Sequence, residues 1–196
     1  MSNTETRASL LLRIRDATNT HAWSEFVEIY MPLLHAYAMR NGLQDSDAAD
    51  MAQDTVRQVI RTIGRFEYDR SKGTFRGWLL GVARNEIRKQ LQKRAKPGRG
   101  SGESQMLAVL DQQAAPSEED KWEKEYQLHV FHWAADRVKG EFRENSWKAF
   151  WQTIVEGEEI AKVAQGLDMS AGAIYIARSR ILARIRQEIA MAESEE

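Results

Sequence analysis

Apolar residues recur at intervals of three and four along most of this chain, the spacing that lines one face of a helix. A short helix is expected around Ala8–Asp16. A longer one follows from about His21 to Arg40, its stripe made by Trp23, Phe26, Val27, Tyr30, Leu33, Leu34 and Tyr37. Pro32 inside it predicts a kink or break, and Asn41-Gly42 supplies the stop. Asp45 to Ile63 reads as a third helix, with Met51, Val56, Val59, Ile60 and Ile63 as its apolar positions. After the loop Gly64–Gly73, a fourth helix from Thr74 to about Lys93 carries Phe75, Trp78, Leu79, Val82, Ile87 and Leu91. Further on, Trp147, Phe150, Trp151, Ile154 and Val155 fall at i, i+3, i+4, i+7 and i+8, a core-facing helix.

The last third holds the most telling local pattern. Ile160, Val163 and Ala164 share one face of a short helix, and Gly166-Leu167-Asp168-Met169 makes a tight turn in which Gly166 suits a helix C-terminus. Ser170 can cap a second helix by accepting an unpaired first-turn N–H. That helix carries Ile174, Ile181 and Ile185 near helical spacing, with Arg178, Arg180, Arg184 and Arg186 and no carboxylate before Glu188. Helix, four-residue turn and basic helix form a helix-turn-helix, which fits a helix into the DNA major groove.

These elements predict an all-α protein of two small helical domains, the second carrying the helix-turn-helix. The boundaries fall at residues 1–95, 96–120 and 121–196, the middle stretch being a flexible linker that opens with Pro97-Gly98-Arg99-Gly100-Ser101-Gly102. With 196 residues, 42% of them hydrophobic, the chain can bury real cores. The absence of cysteine excludes disulfides and thiolate metal sites. The run Leu10-Leu11-Leu12 is too short for a signal peptide or a membrane span, so no membrane insertion and a cytoplasmic location are expected.

A net charge of −1 hides a segregation. From Arg70 to Arg99 ten basic residues face the single Glu86, whereas from Glu103 to Glu125 seven acidic residues face only Lys121 and Lys124. Screening within about 8 Å at physiological salt makes local charge, not the sum, decide what a phosphate meets. Specific chemistry is missing: there is no G-x-S-x-G, no Walker sequence and no Rossmann fingerprint, and the linker glycines follow no strand. His129 and His132 have no acid at ligating spacing, and Asp45, Asp47, Asp50 and Asp54 lack the alternation of a calcium loop. No catalytic residue, metal or cofactor is expected.

Two further segments stand out beside the helix-turn-helix: Asp50-Met51-Ala52-Gln53-Asp54-Thr55-Val56, and Gly73-Thr74-Phe75-Arg76-Gly77-Trp78-Leu79-Leu80-Gly81-Val82-Ala83-Arg84-Asn85. The three together resemble the bacterial RNA polymerase sigma factors of the extracytoplasmic-function (ECF) subgroup. The first is similar to the D-x-x-Q-[ED]-x-[FV] signature of their second region, the next looks like the subgroup's F-R-x-W-L-x-x-[IV]-A-R-N segment, and the helix-turn-helix resembles its fourth region. The resemblance implies a non-enzymatic protein that binds core RNA polymerase (β′ and β subunits) and promoter DNA, with an anti-sigma factor as a further candidate partner. It implies that Asp50, Gln53, Asp54 and Arg57 dock on the β′ clamp helices. It also implies that Phe75, Trp78, Arg84, Asn85, Arg88, Lys89 and Lys93 meet the −10 element, and that the Gly64–Gly73 loop captures a flipped base. From the residues alone Trp78 reads as core, since Leu79 and Val82 accompany it.

The −35 element would fall to Ser170, Ala171, Gly172, Tyr175, Arg178, Arg180 and Arg184. Here the chain departs from the subgroup's S-x-G-T-V-K-S-R-L, with Tyr175 in place of Lys and Ala177-Arg178 in place of Arg-Leu. Taken without the resemblance, the residues also fit a stand-alone helix-turn-helix regulator or an enzyme with an accessory DNA-binding domain.

Overall fold

The computed structural model describes residues 10–65, 74–94 and 116–193, with side chains at all but 65, 93, 94, 116, 117 and 193. The protein is all-α, as the periodicity predicts, and no strand occurs among the described residues. The chain divides into two compact units between His129 and Val130.

The first unit contains α1 (Leu10–Ile14), α2 (Thr20–Arg40), α3 (Asp45–Thr62), a 3-10 turn at Ile63–Arg65, and α4 (Phe75–Arg94). It also takes the residues up to His129 of α5 (Pro116–Val138). Asn19 caps α2 by accepting from the Ala22 amide at 3.1 Å. Phe26, Ile29, Leu33, Leu34 and Ala38 are fully buried along one stripe of α2, against Ala48, Met51, Ala52 and Val59 of α3 and Leu79, Leu80, Ala83 and Ile87 of α4. Each such Leu or Ile contributes about 1.5–3 kcal/mol on burial. Thr55, also fully buried, donates its hydroxyl to the Met51 carbonyl at 2.9 Å.

Three local expectations change. Helix α2 runs unbroken through Pro32, because proline removes one amide from the ladder and flanking turns can absorb the distortion when the helix is packed. Ile60, counted among the apolar positions of α3, is 47% exposed because it lies off the Met51/Val56/Val59 face. Helix α5 begins at Pro116, inside the stretch read as linker, and its residues up to His129 pack within the first unit.

The second unit holds the rest of α5, a 3-10 turn at Lys139–Glu141, α6 (Glu144–Ile154), α7 (Ile160–Leu167) and α8 (Ala171–Glu193). Ala134, Ala135 and Val138 meet Trp147 and Phe150 of α6 and Ile181 and Ile185 of α8 in one core cluster. A second cluster joins Ala149, Val163 and Ile174. Val155, expected to face the core, is 39% exposed because α6 ends at Ile154 and the chain turns away.

The turn between α7 and α8 is built on a residue the sequence reading did not choose. Gly166 lies within α7, and Asp168 instead takes the left-handed conformation at φ +51°. The Met169 amide then closes the helix end on the Ala164 carbonyl at 3.0 Å. Asp tolerates this region better than most non-glycine residues because its short polar side chain can hydrogen-bond to the nearby backbone. Ser170 caps α8 as expected, accepting from the Ala173 amide at 3.1 Å. Asp168→Val should therefore lower the stability of the second unit by about 1–3 kcal/mol, whereas Asp168→Gly should cost nothing. Thermal melts of the two variants decide the point, and equal melting temperatures would refute it.

Candidate functional site

Three surfaces carry the residues singled out above. On α3, Asp50, Gln53 and Arg57 are exposed and Asp54 half-buried, opposite the stripe of Met51, Ala52, Thr55, Val56 and Val59. Spacings of three and four residues bring these polar groups onto adjoining turns. Arg57 pairs with Asp54 and donates to the Gln53 side-chain oxygen at 3.2 Å. Gln53, Asp54 and Arg57 thus form one hydrogen-bonded group, with Asp50 exposed on the adjoining turn, and the four serve no core. Ile60 continues it one turn on, an exposed apolar residue beside charged ones that the sequence reading assigned to the interior.

On α4, Trp78, Val82, Asn85 and Lys89 recur at i, i+4, i+7 and i+11 and so share one side of the helix. Asn85 and Lys89 are exposed, Trp78 and Val82 half-buried, and Arg88 half-buried at the flank. Lys89 pairs with Glu86 at 2.7 Å, and the Trp78 ring lies 5.4 Å from that of Phe75. Phase separates Arg84 from this group, whereas Phe75 shares its side of the helix and is set apart by burial. Phe75 is 4% exposed and packs edge-on against Phe26 and Tyr30, at 6.2 and 5.9 Å between ring centroids. Arg84 is 7% exposed and its guanidinium pairs with Glu118. The side chain of Lys93 and residues 66–73, which hold most of the expected base-capture loop, lie outside the described residues.

The α2/α4 side of the first unit carries contacts that the sequence reading missed. Glu118 pairs with Arg84 and accepts from the Tyr37 hydroxyl at 2.7 Å; burial and this carboxylate both push the Tyr37 phenol above its ordinary pKa. Glu123 accepts from Arg76 Nε at 2.7 Å, and Glu125 pairs with Arg40. Trp122 and Tyr126, each 2% exposed, lie between them: Trp122 edge-on to Tyr37 at 5.4 Å, Tyr126 stacked on Tyr30 at 5.5 Å. The Arg76 guanidinium sits over the Tyr126 ring at 4.5 Å. Burial works to lower the Arg76 pKa, but the hydrogen bond and charge of Glu123 outweigh it and raise it. The one sequence signal for all this was the charge reversal between the two stretches.

In the second unit the start of α8 is open. Ser170, Ala171, Gly172 and Tyr175 are exposed, Tyr175 at 58%, with Arg180 exposed further along. The guanidinium of Arg178 lies 5.7 Å from the Tyr175 ring. Ile176 is 56% exposed beside them; its position, two residues past Ile174 and off the Ile174/Ile181/Ile185 stripe, was the available signal. Arg184 does not join this group. Its guanidinium makes two 2.8 Å hydrogen bonds to Glu141 and a third to Glu188, which also accepts from Arg137 at 3.0 Å. A phosphate at Arg184 would have to displace two carboxylates. Burial works to raise the Glu188 pKa, and the two arginines outweigh it and hold the carboxyl below its ordinary value.

Comparison with known families bears on the first unit. Residues 26–96 match the Sigma-70 region 2 family model. The match starts inside α2, takes in all of α3 and α4, and ends two residues beyond α4. The match covers 71 of the chain's 196 residues, and over that span the chain is similar to sigma-70 region 2. No curated protein matches the chain. Among the described residues no helix is long and apolar enough to cross a membrane, and no group of His, Cys, Asp and Glu could hold a metal ion.

Proposed function

We propose that this chain is a two-domain sigma factor of the ECF subgroup that acts in the cytoplasm, without covalent chemistry of its own. Its region 2-like domain would bind core polymerase through Asp50, Gln53, Asp54 and Arg57. The observation that carries the reading is this patch: four polar side chains on the outward face of α3, three of them joined by Arg57, within the segment matched by region 2. Trp78, Asn85, Arg88 and Lys89 are the α4 residues best disposed to meet an unpaired −10 strand, since an aromatic face, an amide and two cations can stack on bases and neutralise phosphates.

For the −35 element, α7 and α8 would act as a helix-turn-helix, with Ala171, Gly172 and Tyr175 nearest the bases. Residues at the start of a recognition helix point into the major groove, and here they are exposed. Arg178 and Arg180 are the candidates for the flanking phosphates. The test is reconstitution with core RNA polymerase followed by run-off transcription on a set of promoter fragments. Promoter-selective transcripts that require the chain are expected. Binding of the isolated chain to a palindromic site with no dependence on polymerase would instead favour a stand-alone regulator.

A further inference from the structure

Ile176 stands on the outside of α8, 56% exposed, while Ile174, Ile181 and Ile185 of the same helix are buried. We propose that Ile176 is a specificity-determining residue, whose side chain packs on the 5-methyl group of a thymine in the DNA major groove. The inference rests on the preceding reading of α7 and α8 as a helix-turn-helix, and it names a base which that helix selects.

Its surroundings carry the inference. Ile176 lies two residues, about 200°, around the helix from Ile174 and so points away from the Ala149/Val163/Ile174 cluster. It shares its side of α8 with Gly172 one turn before and with Ser179 and Arg180 one turn on, all exposed. A Cβ added at Gly172 would meet only the Ser170 hydroxyl, at 3.9 Å, so the approach over the first turn is open. Tyr175, 58% exposed, stands beside Ile176. Around this apolar pair the charge is of one sign: Arg178, Arg180 and Arg186 belong to α8, whose first carboxylate is Glu188. A basic rim about an apolar centre fits a polyanion that carries apolar groups between two rows of charge. The major groove is such a surface, with phosphates along its edges and thymine methyls on its floor.

The chemistry of the base edges then selects the base. In the major groove guanine presents two acceptors, adenine an acceptor and an amino group, cytosine an amino group, and thymine an acceptor and a methyl. Isoleucine has neither donor nor acceptor. Against a polar edge it would strip water and return no hydrogen bond; against the methyl, apolar surface is buried on both sides. Its β-branched side chain is stiff at χ1, so little freedom is lost on contact. Burial of one methyl group changes affinity by about four-fold.

The experiment selects duplexes from a random-sequence pool with the full chain, alone and together with core RNA polymerase. The wild-type chain should enrich sequences with a fixed thymine, and Ile176→Ala should lose the preference at that position alone. On the selected duplex each fixed thymine is then replaced in turn by deoxyuridine, which lacks only the methyl. One such replacement should weaken wild-type binding about four-fold and leave Ile176→Ala binding unchanged, while Ile176→Val, which keeps the branched methyls, should still respond. Equal weakening in wild type and Ile176→Ala, or none in either, would overturn the inference. An apolar protein partner, the other occupant that an exposed isoleucine fits, gives that second result. Either outcome leaves the helix-turn-helix reading in place, because a sequence has still been enriched. No enrichment under either condition would remove that reading and this inference with it.

Discussion

Replacing Asp50 and Asp54 together by lysine should weaken binding to core RNA polymerase by at least about 30-fold, roughly 2 kcal/mol. Losing one partner of a desolvated interfacial charge pair costs about 2–5 kcal/mol, and reversal adds repulsion to the loss. The fold should not register the change. Neither side chain contributes to the core, and the Asp54–Arg57 pair is half-exposed, where such pairs contribute about 0–1 kcal/mol. A pull-down titration read beside far-ultraviolet circular dichroism makes the measurement. Unaltered affinity with intact helicity would remove the α3 patch from the polymerase interface.

Phe150→Ala should be the most damaging single substitution in the second unit, costing about 3–5 kcal/mol. Phe150 is fully buried, its ring 5.4 Å from that of Trp147, in the cluster that ties α6 to α8 through Ile181 and Ile185. Truncation leaves a void bounded by three helices that cannot all close on it. A domain's whole stability is about 5–15 kcal/mol, so much of this one would be lost. Urea unfolding followed by hydrogen exchange should show α6 to α8 opening early while α2 to α4 keep their protection. Loss of protection in both units together would mean that they unfold as one.

What the sequence revealed depended on the range of the interaction. Stripes such as Phe26/Leu33/Leu34/Tyr37 or Ile174/Ile181/Ile185 are set by neighbours one or two turns away, so their spacing records them. Caps are as local, and Ser170 was readable for that reason. Finer choices among local options were not: Gly166 and Asp168 both suit a helix end, and packing of Leu167 and Met169 around the Val163 cluster accompanies the choice of Asp168. Ile60 shows the same limit, since an apolar residue at the edge of a stripe can fall on either side of it. Among the candidate site residues, the α3 patch and the start of α8 lie on the surface, where a motif reading expects them. Phe75 and Arg84 are buried and Arg184 is half-buried, each engaged by a partner from a distant stretch. No period within α4 can announce that Glu118 will cover Arg84.

The long span of the α5 contacts also bears on the order in which the protein takes shape. Helices α2, α3 and α4 pair with sequence neighbours, and local helical contacts form in microseconds to milliseconds. The bonds from Tyr37 to Glu118 and from Arg40 to Glu125 close loops of 81 and 85 residues. Loop closure must be met before such contacts return anything, so they form late. On the ribosome the delay lengthens, because α1 to α4 emerge before α5 has been made, at about 5–20 residues per second. Every new copy of the chain thus passes through an interval of seconds in which Arg76 and Arg84 stand uncovered, and in that interval the newborn domain is at its most receptive to polyanions.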